Sequence, residues 1–175
     1  NGRFQPVHTM ATELLRKVSR NDSYNGLSAE QVFVGFHTNP LSWNFEPFVY
    51  VSGSELQEKL GVEKYASFID FFNADFTYRL VEYAENARLK KPSERNQFDK
   101  DVLKTDERVS LLFGFFSGTY LKIMPLPNDP GQHWYSPFDN EHPFIGLDAE
   151  VMNSIMPMYT AAVNIGHETG DWTEA

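Results

Sequence analysis

The stretch Asn1-Gly2-Arg3-Phe4-Gln5-Pro6-Val7-His8-Thr9-Met10-Ala11-Thr12-Glu13-Leu14-Leu15-Arg16-Lys17 joins a polar, turn-prone lead-in to an amphipathic helix. Pro6 suits a first helical turn, where its missing N–H leaves no bond unmade. Thr9 or Thr12 offers a capping hydroxyl, which places the helix start to within a few residues. Val7, Met10, Ala11, Leu14, Leu15 and Val18 then recur at helical spacing. Glu13 stands early and Arg16, Lys17 and Arg20 late, the order that complements the helix dipole. A helix with one apolar stripe must bury it against another element, and the rest of the chain supplies mostly helical partners.

Working outward, residues 21–26 form a polar turn. Ser28-Ala29-Glu30-Gln31 reads as a capping box, launching a short helix through Val32, Phe33 and Phe36 that Asn39-Pro40 ends. Residues 41–47 read as a loop with Trp43 and Phe45 plugged into the core. Residues 48–51 are the best strand candidate, with 121–124 as its partner. Ser52 or Ser54, answered by Glu55 or Gln57, predicts another helix start, and Gly61 its C-terminal cap. Residues 65–73, with Phe68, Ile69, Phe71 and Phe72, suit a short buried helix.

Asp75 reads as the cap of a helix with an apolar face of Phe76, Leu80, Val81, Tyr83, Ala84 and Ala87. Lys90-Lys91-Pro92 interrupts it, and Ser93-Glu94 restarts a long helix through Phe98, Val102, Leu103, Val109, Leu112, Phe113 and Phe116, stopped by Gly118. The short connection predicts an antiparallel pair. Residues 125–143 hold five prolines with Trp134, Tyr135 and Phe138, a long irregular loop. Asp148 caps a final helix through Val151, Met152, Ile155, Met158, Tyr159, Ala162 and Val163, kinked at Pro157. The expected fold class is mainly α, an α+β domain of six or seven irregularly arranged helices with at most a small two-stranded ribbon.

The 175 residues are read as a single soluble domain over 1–175 with a ring-rich core, since 15 of them are Phe. A net charge of −9 excludes the basic surface that nucleic acid requires. The chain has no cysteine, which excludes disulfides, thiolate metal sites and cysteine nucleophiles. Its most apolar run, 109–121, falls short of the roughly 20 residues that cross a bilayer. A start without methionine and a final Asp171-Trp172-Thr173-Glu174-Ala175, like a helix cut short, suggest a piece excised from something longer.

No catalytic constellation emerges. The five histidines, at 8, 37, 133, 142 and 167, lack any paired metal spacing. His133 and His142 share the 125–143 loop with Asp129, Asp139 and Glu141, which makes them candidates for a haem or metal contact, whereas His8 reads as a satisfied polar or capping group rather than a ligand. The ordinary reading of His133 and His142 is a surface loop with hydrogen-bonding histidines. There is no GxSxG elbow, GxGxxG fingerprint or P-loop. The acidic pairs Asp99/Asp101 and Asp106/Glu107 read as the solvated face of a charged helix rather than as a glycosidase pair, which needs a cleft.

Gly2, Arg3, Pro6 and Thr9, followed by Ala11 and Leu14-Leu15-Arg16-Lys17, resemble a segment of cytochrome c biogenesis proteins of the fused ResB/CcsA type. There a Gly-Arg-x-x-Pro-x-x-Thr run opens a soluble extracytoplasmic region between transmembrane helices. Asn39-Pro40 with Trp43, and Asp171-Trp172 near the end, are similar to further parts of that region. The resemblance is specific over residues 1–20 and loose beyond them. It implies a place at the periplasmic face of the bacterial inner membrane, held there by flanking segments, in a parent protein that exports haem and acts as a cytochrome c synthase. That family holds haem with membrane-flanking histidines and a tryptophan-rich WWD loop. Here the tryptophans stand alone at 43, 134 and 172, so no haem ligand carries over. The implied role is therefore non-catalytic scaffolding or docking of apocytochrome c and other assembly proteins, with no cofactor in this piece and haem in the full-length protein. Two alternatives stay open: a free-standing periplasmic ligand-binding or adaptor domain rimmed by the 125–143 loop, and a His/carboxylate metal hydrolase built from it.

Overall fold

The computed structural model describes residues 6–120, 122, 124–131, 133–136 and 144–170, by backbone alone at 147, 152, 156, 160, 163 and 167. The chain is mainly α, with β structure among the described residues limited to three antiparallel two-stranded ribbons and an isolated antiparallel bridge between Phe72 and Tyr78. It divides into two compact units, residues 1–113 and 114–175.

The first unit starts with α1 (Val7–Ser19), which buries Ala11, Leu14, Leu15 and Val18 and packs on α2. Pro6 stands immediately before it, its carbonyl accepting from the Met10 N–H at 3.1 Å, and no side chain caps the helix. Residues 21–26 are more than a turn. Ser23–Tyr24 (β1) pairs with Leu27–Ser28 (β2), and Asn25 and Gly26 take φ of 48° and 82°, the two positive values that a tight hairpin between right-twisting strands demands. The same Ser28 then starts α2 (Ala29–Thr38). Its hydroxyl accepts from the Gln31 N–H, and the Gln31 side chain accepts from the Ser28 N–H at 2.9 Å.

Asn39 ends α2 and its side chain accepts from Ser42 N–H, opening the short helix α3 (Pro40–Trp43) inside the expected loop. Trp43 is buried as expected, whereas Phe45 is 69% exposed. Trp43 meets Phe36 at 5.0 Å and Phe48 at 5.6 Å between ring centroids, and Phe36 stacks on Phe48 at 5.4 Å. Edge-to-face and offset geometries of this kind add to the burial of each ring, itself about 1.5–3 kcal/mol. Space for the indole comes from Gly35, where a Cβ would lie 2.4 Å from Trp43 Nε1.

Val49–Tyr50 (β3) falls within the predicted strand, but its partner is Tyr65–Ala66 (β4), in the register Val49↔Ala66 and Tyr50↔Tyr65, not residues 121–124. Between them α4 (Ser54–Leu60) follows Gly53 without a side-chain cap and ends at Gly61 in the left-handed conformation. The helix predicted over 65–73 shrinks to a 3₁₀ turn at Ile69–Phe71, because β4 claims its start and the Asp70 carboxylate bonds back to Ser67 N–H and Oγ at 2.8 and 2.6 Å. Asp75 likewise caps a turn rather than a helix, accepting from Thr77 N–H at 3.0 Å. Phe76 is 77% exposed at positive φ, and α5 begins only at Val81 (Val81–Leu89). A 3₁₀ turn at Pro92–Glu94 leads to α6 (Gln97–Phe116). Asn96 starts that helix, later than Ser93: its side chain accepts from Asp99 N–H at 2.8 Å and Asp99 returns the bond at 3.0 Å.

In the second unit Gly118, at φ 71°, closes the end of α6, and Tyr120 packs on Phe115 at 5.3 Å. Met124–Pro125 (β5) pairs with Trp134–Tyr135 (β6), so the predicted irregular loop holds a ribbon. Tyr135 meets Phe144 at 5.6 Å, and the buried Ser136 hydroxyl donates to the Gly118 carbonyl at 2.7 Å. The final helix, α7 (Gly146–Thr169), starts after Ile145 rather than at Asp148 and contains Pro157. No described helix is long and apolar enough to cross a membrane.

Candidate functional site

Three of the four α6 carboxylates read as a solvated face, Asp99, Asp101 and Asp106, are instead buried, while Glu107 is exposed as expected. Arg108 is buried too. Asp99 accepts two bonds from Lys90 Nζ at 2.7 and 2.8 Å, and Asp101 is bridged by Gln97 at 3.0 Å. Asp106 pairs with Arg88 and accepts from the Tyr78 hydroxyl at 3.0 Å. Burial, reinforced by the Asp106 charge, pushes the Tyr78 phenol far above its ordinary range. Helical spacing alone sorts such residues outward. Here Lys90, Arg88 and Tyr78, from α5 and its flanks, satisfy Asp99 and Asp106, and Gln97 of α6 itself satisfies Asp101, as buried charge requires.

Arg108 takes a different course. Its Nε donates to the Lys17 carbonyl at 3.1 Å, and its Nη1 to the Tyr50 carbonyl and Ser52 Oγ, both at 3.0 Å. These acceptors are neutral, and its guanidinium lies 5.1 Å from the Tyr50 ring centroid. Burial first, and then the nearby Arg20 charge, draw its pKa down. The bonds join α1, β3 and α6.

Where α1 and α6 meet, Arg16, Lys17, Arg20, Lys104, Glu107 and Arg108 line an open cleft of about 370 Å³. Arg16 pairs with Asp22, and Lys17 reaches Glu107 at 2.6 Å. Arg20 ends α1 in the left-handed conformation, φ 64°, and lies 5.2 Å from the Tyr50 centroid on which Arg108 also sits. Neither Arg20 nor Lys104 makes an ion pair among the described residues. Five of the six lining side chains are cationic and one, Glu107, is a carboxylate.

Of the residues nominated from sequence, His133 lies on the exposed side of the second unit. Its Nδ1 is 2.6 Å from Asp129 Oδ2, and the same carboxylate accepts from the backbone N–H groups of His133 and Gly131 at 2.7 and 3.1 Å. Those backbone bonds hold the Asp129 carboxyl below its ordinary pKa. Gly131 makes room for the imidazole: a Cβ there would lie 2.3 Å from His133 Cε1. This is a turn tied by one carboxylate. No group of three or more potential ligands gathers around a metal position among the described residues. His142, Asp139 and Glu141 lie outside them, as do Gly2 and Arg3 of the family-like motif and Asp171-Trp172. Pro6 marks the start of α1, Thr9 is half-buried in its first turns, and His8 pairs with Glu30 at the start of α2.

Sequence reasoning did not assemble the cleft. Arg16, Lys17 and Arg20 read as dipole partners of one helix, and nothing in the sequence singles out Lys104 or Arg108 on another. Only the packing of α1 beside α6 adds them together.

No family model matches the chain. It is 38% identical over 135 residues to Protein NrfI of Wolinella succinogenes, a stretch that makes up 76% of this chain and 15% of that relative. The chain thus spans a small part of the relative's length.

Proposed function

We propose that this chain is a module of a cytochrome c assembly protein, serving to dock apocytochrome c and its partners rather than to carry out haem attachment itself. The observation that carries this reading is the 38% identity to Protein NrfI across most of the chain, which supports a role in cytochrome c biogenesis. The likeness of Gly2, Arg3, Pro6 and Thr9 to the fused ResB/CcsA type adds a position: the periplasmic face of the inner membrane, between membrane segments of the parent protein. The docking role rests on two features. The histidine of the 125–143 loop that is described is engaged in tying a turn, and the net charge of −9 supplies a field that draws basic polypeptide segments.

The test is made in the full-length parent protein. Removing residues 7–113 while keeping the flanking membrane segments should abolish covalent haem attachment to a reporter c-type cytochrome, seen by haem-stained gels. Wild-type attachment by that variant would sink the assembly role. Docking as opposed to haem handling is read separately, by titrating the 175-residue chain with haem. A Soret shift lost in His133→Ala or His142→Ala would overturn the docking assignment and leave the assembly role standing.

A further inference from the structure

We propose that the cleft between α1 and α6 is a binding site for a small oxyanion, the carboxylate or phosphate group of a small molecule. Five of the chain's 15 Lys and Arg residues line this one cleft, in a molecule whose net charge is −9. Their internal pairing is incomplete. Arg16 and Lys17 have carboxylate partners, while Arg108 is held by neutral acceptors and Arg20 and Lys104 have no ion pair among the described residues.

Arg20 is placed against two costs. A residue with a Cβ at φ 64° occupies the left-handed region, which glycine fills more cheaply at a helix end. Its guanidinium also shares the Tyr50 ring with that of Arg108 and with the Lys64 ammonium, at 5.2, 5.1 and 5.9 Å, so three like charges surround one aromatic group. The attraction of the ring for cations offsets part of that repulsion. An anion seated between Arg20, Arg108 and Lys104 relieves the rest, through charge-assisted bonds that a planar guanidinium makes well to carboxylate and phosphate.

Size and field select the ligand class. A volume of about 370 Å³ sits at the small end of ligand sites. A nucleic acid or an anionic bilayer is repelled by the acidic surface beyond the cleft, whereas a compact anion is drawn in locally.

The experiment titrates the 175-residue chain with sodium citrate, sodium acetate and sodium phosphate at constant ionic strength, following amide chemical shifts. Saturable binding with Kd of about 1 mM or tighter is expected for citrate or phosphate, with shifts centred on residues 16–20, 50 and 104–108. Tighter citrate than phosphate assigns a carboxylate site, and the reverse a phosphate site. The exposed pair Arg20→Gln and Lys104→Gln should weaken binding at least about tenfold, as loss of a charge-assisted bond implies. Lys59→Gln with Lys91→Gln, the same charge change elsewhere, should leave it unaltered. No saturable binding by any of the three salts, an unchanged affinity in the Arg20/Lys104 variant, or wild-type shifts centred away from the cleft would each overturn the site. The wild-type shift map decides the matter even if the double variant misfolds.

Discussion

Arg88 of α5 forms an ion pair with Asp106 of α6 in which the guanidinium is 57% exposed and the carboxylate only 6%. The imbalance fixes the energetics. Arg88→Ala leaves a buried carboxylate with the Tyr78 hydroxyl as its one remaining described partner, whereas losing the charge on Asp106 lets Arg88 turn into water. Arg88→Ala should cost about 1–3 kcal/mol, below the full penalty for a buried pair because the guanidinium is solvated. Asp106→Asn, which keeps an acceptor for Tyr78, should be milder. The combination R88A/D106N should therefore be more stable than R88A alone. Urea denaturation midpoints decide this, and a double variant as unstable as the two single losses summed would refute the asymmetry.

Gly53 and Asp101 make a second tight relationship. Gly53 has φ +78°, and a Cβ there would lie 2.6 Å from Asp101 Oδ2, a side chain held by Gln97. Gly53→Ala should destabilise by about 1–3 kcal/mol, through both the backbone conformation and the displaced carboxylate. Gly61 separates the two causes. It has φ +63° with nothing within 4 Å, so Gly61→Ala should cost only the conformational part, about 1 kcal/mol. Equal losses at the two sites in thermal unfolding would count against the Asp101 contact.

What was legible in the sequence was local. The stripe of α1, the Ser28–Gln31 box and the Gly61 cap each depend on residues within a few positions of one another, and each stands where expected. Asn25-Gly26 carried a hairpin signal that a plain turn underused. Pairings set by tertiary structure were not legible: β3 chose Tyr65–Ala66, for which no periodicity argues. The charges of α6 were misplaced for the same reason. A lone helix faces Asp99 and Asp106 to water, and only Lys90, Arg88 and Tyr78 make burial tolerable. The candidate cleft lies beyond sequence reasoning altogether, since Arg20 and Lys104 become neighbours only when α1 docks beside α6.

Thr105 of α6 is 0% exposed, and its Oγ1 has no hydrogen-bond partner among the described residues. An unpaired buried hydroxyl has lost its water without recompense. Thr105→Val keeps the shape and removes the polar atom, so it should raise stability by about 1 kcal/mol, visible as a higher melting temperature. A lower melting temperature would show that the hydroxyl is satisfied in solution.

Asp99 gives the chain a pH response whose sign can be worked out. The bond from Lys90, helped by the backbone N–H of Asn96, holds its carboxyl below the ordinary value of 3.8. A carboxyl with a depressed folded pKa stabilises the folded state in its ionised form. The contribution is complete above pH 3.8 and disappears as the pH falls through the folded value, because the unfolded chain takes up its proton first. Stability should thus be flat with respect to this group from neutral pH down to about 5 and decline below 4. In Asp99→Asn that part of the acid-side slope should be missing, with a lower plateau at neutral pH because Lys90 and Asn96 lose an ionised acceptor. Denaturant midpoints measured every half unit between pH 2.5 and 7 distinguish the two proteins. Parallel profiles below pH 4 would mean that the Lys90–Asp99 contact does not persist in solution.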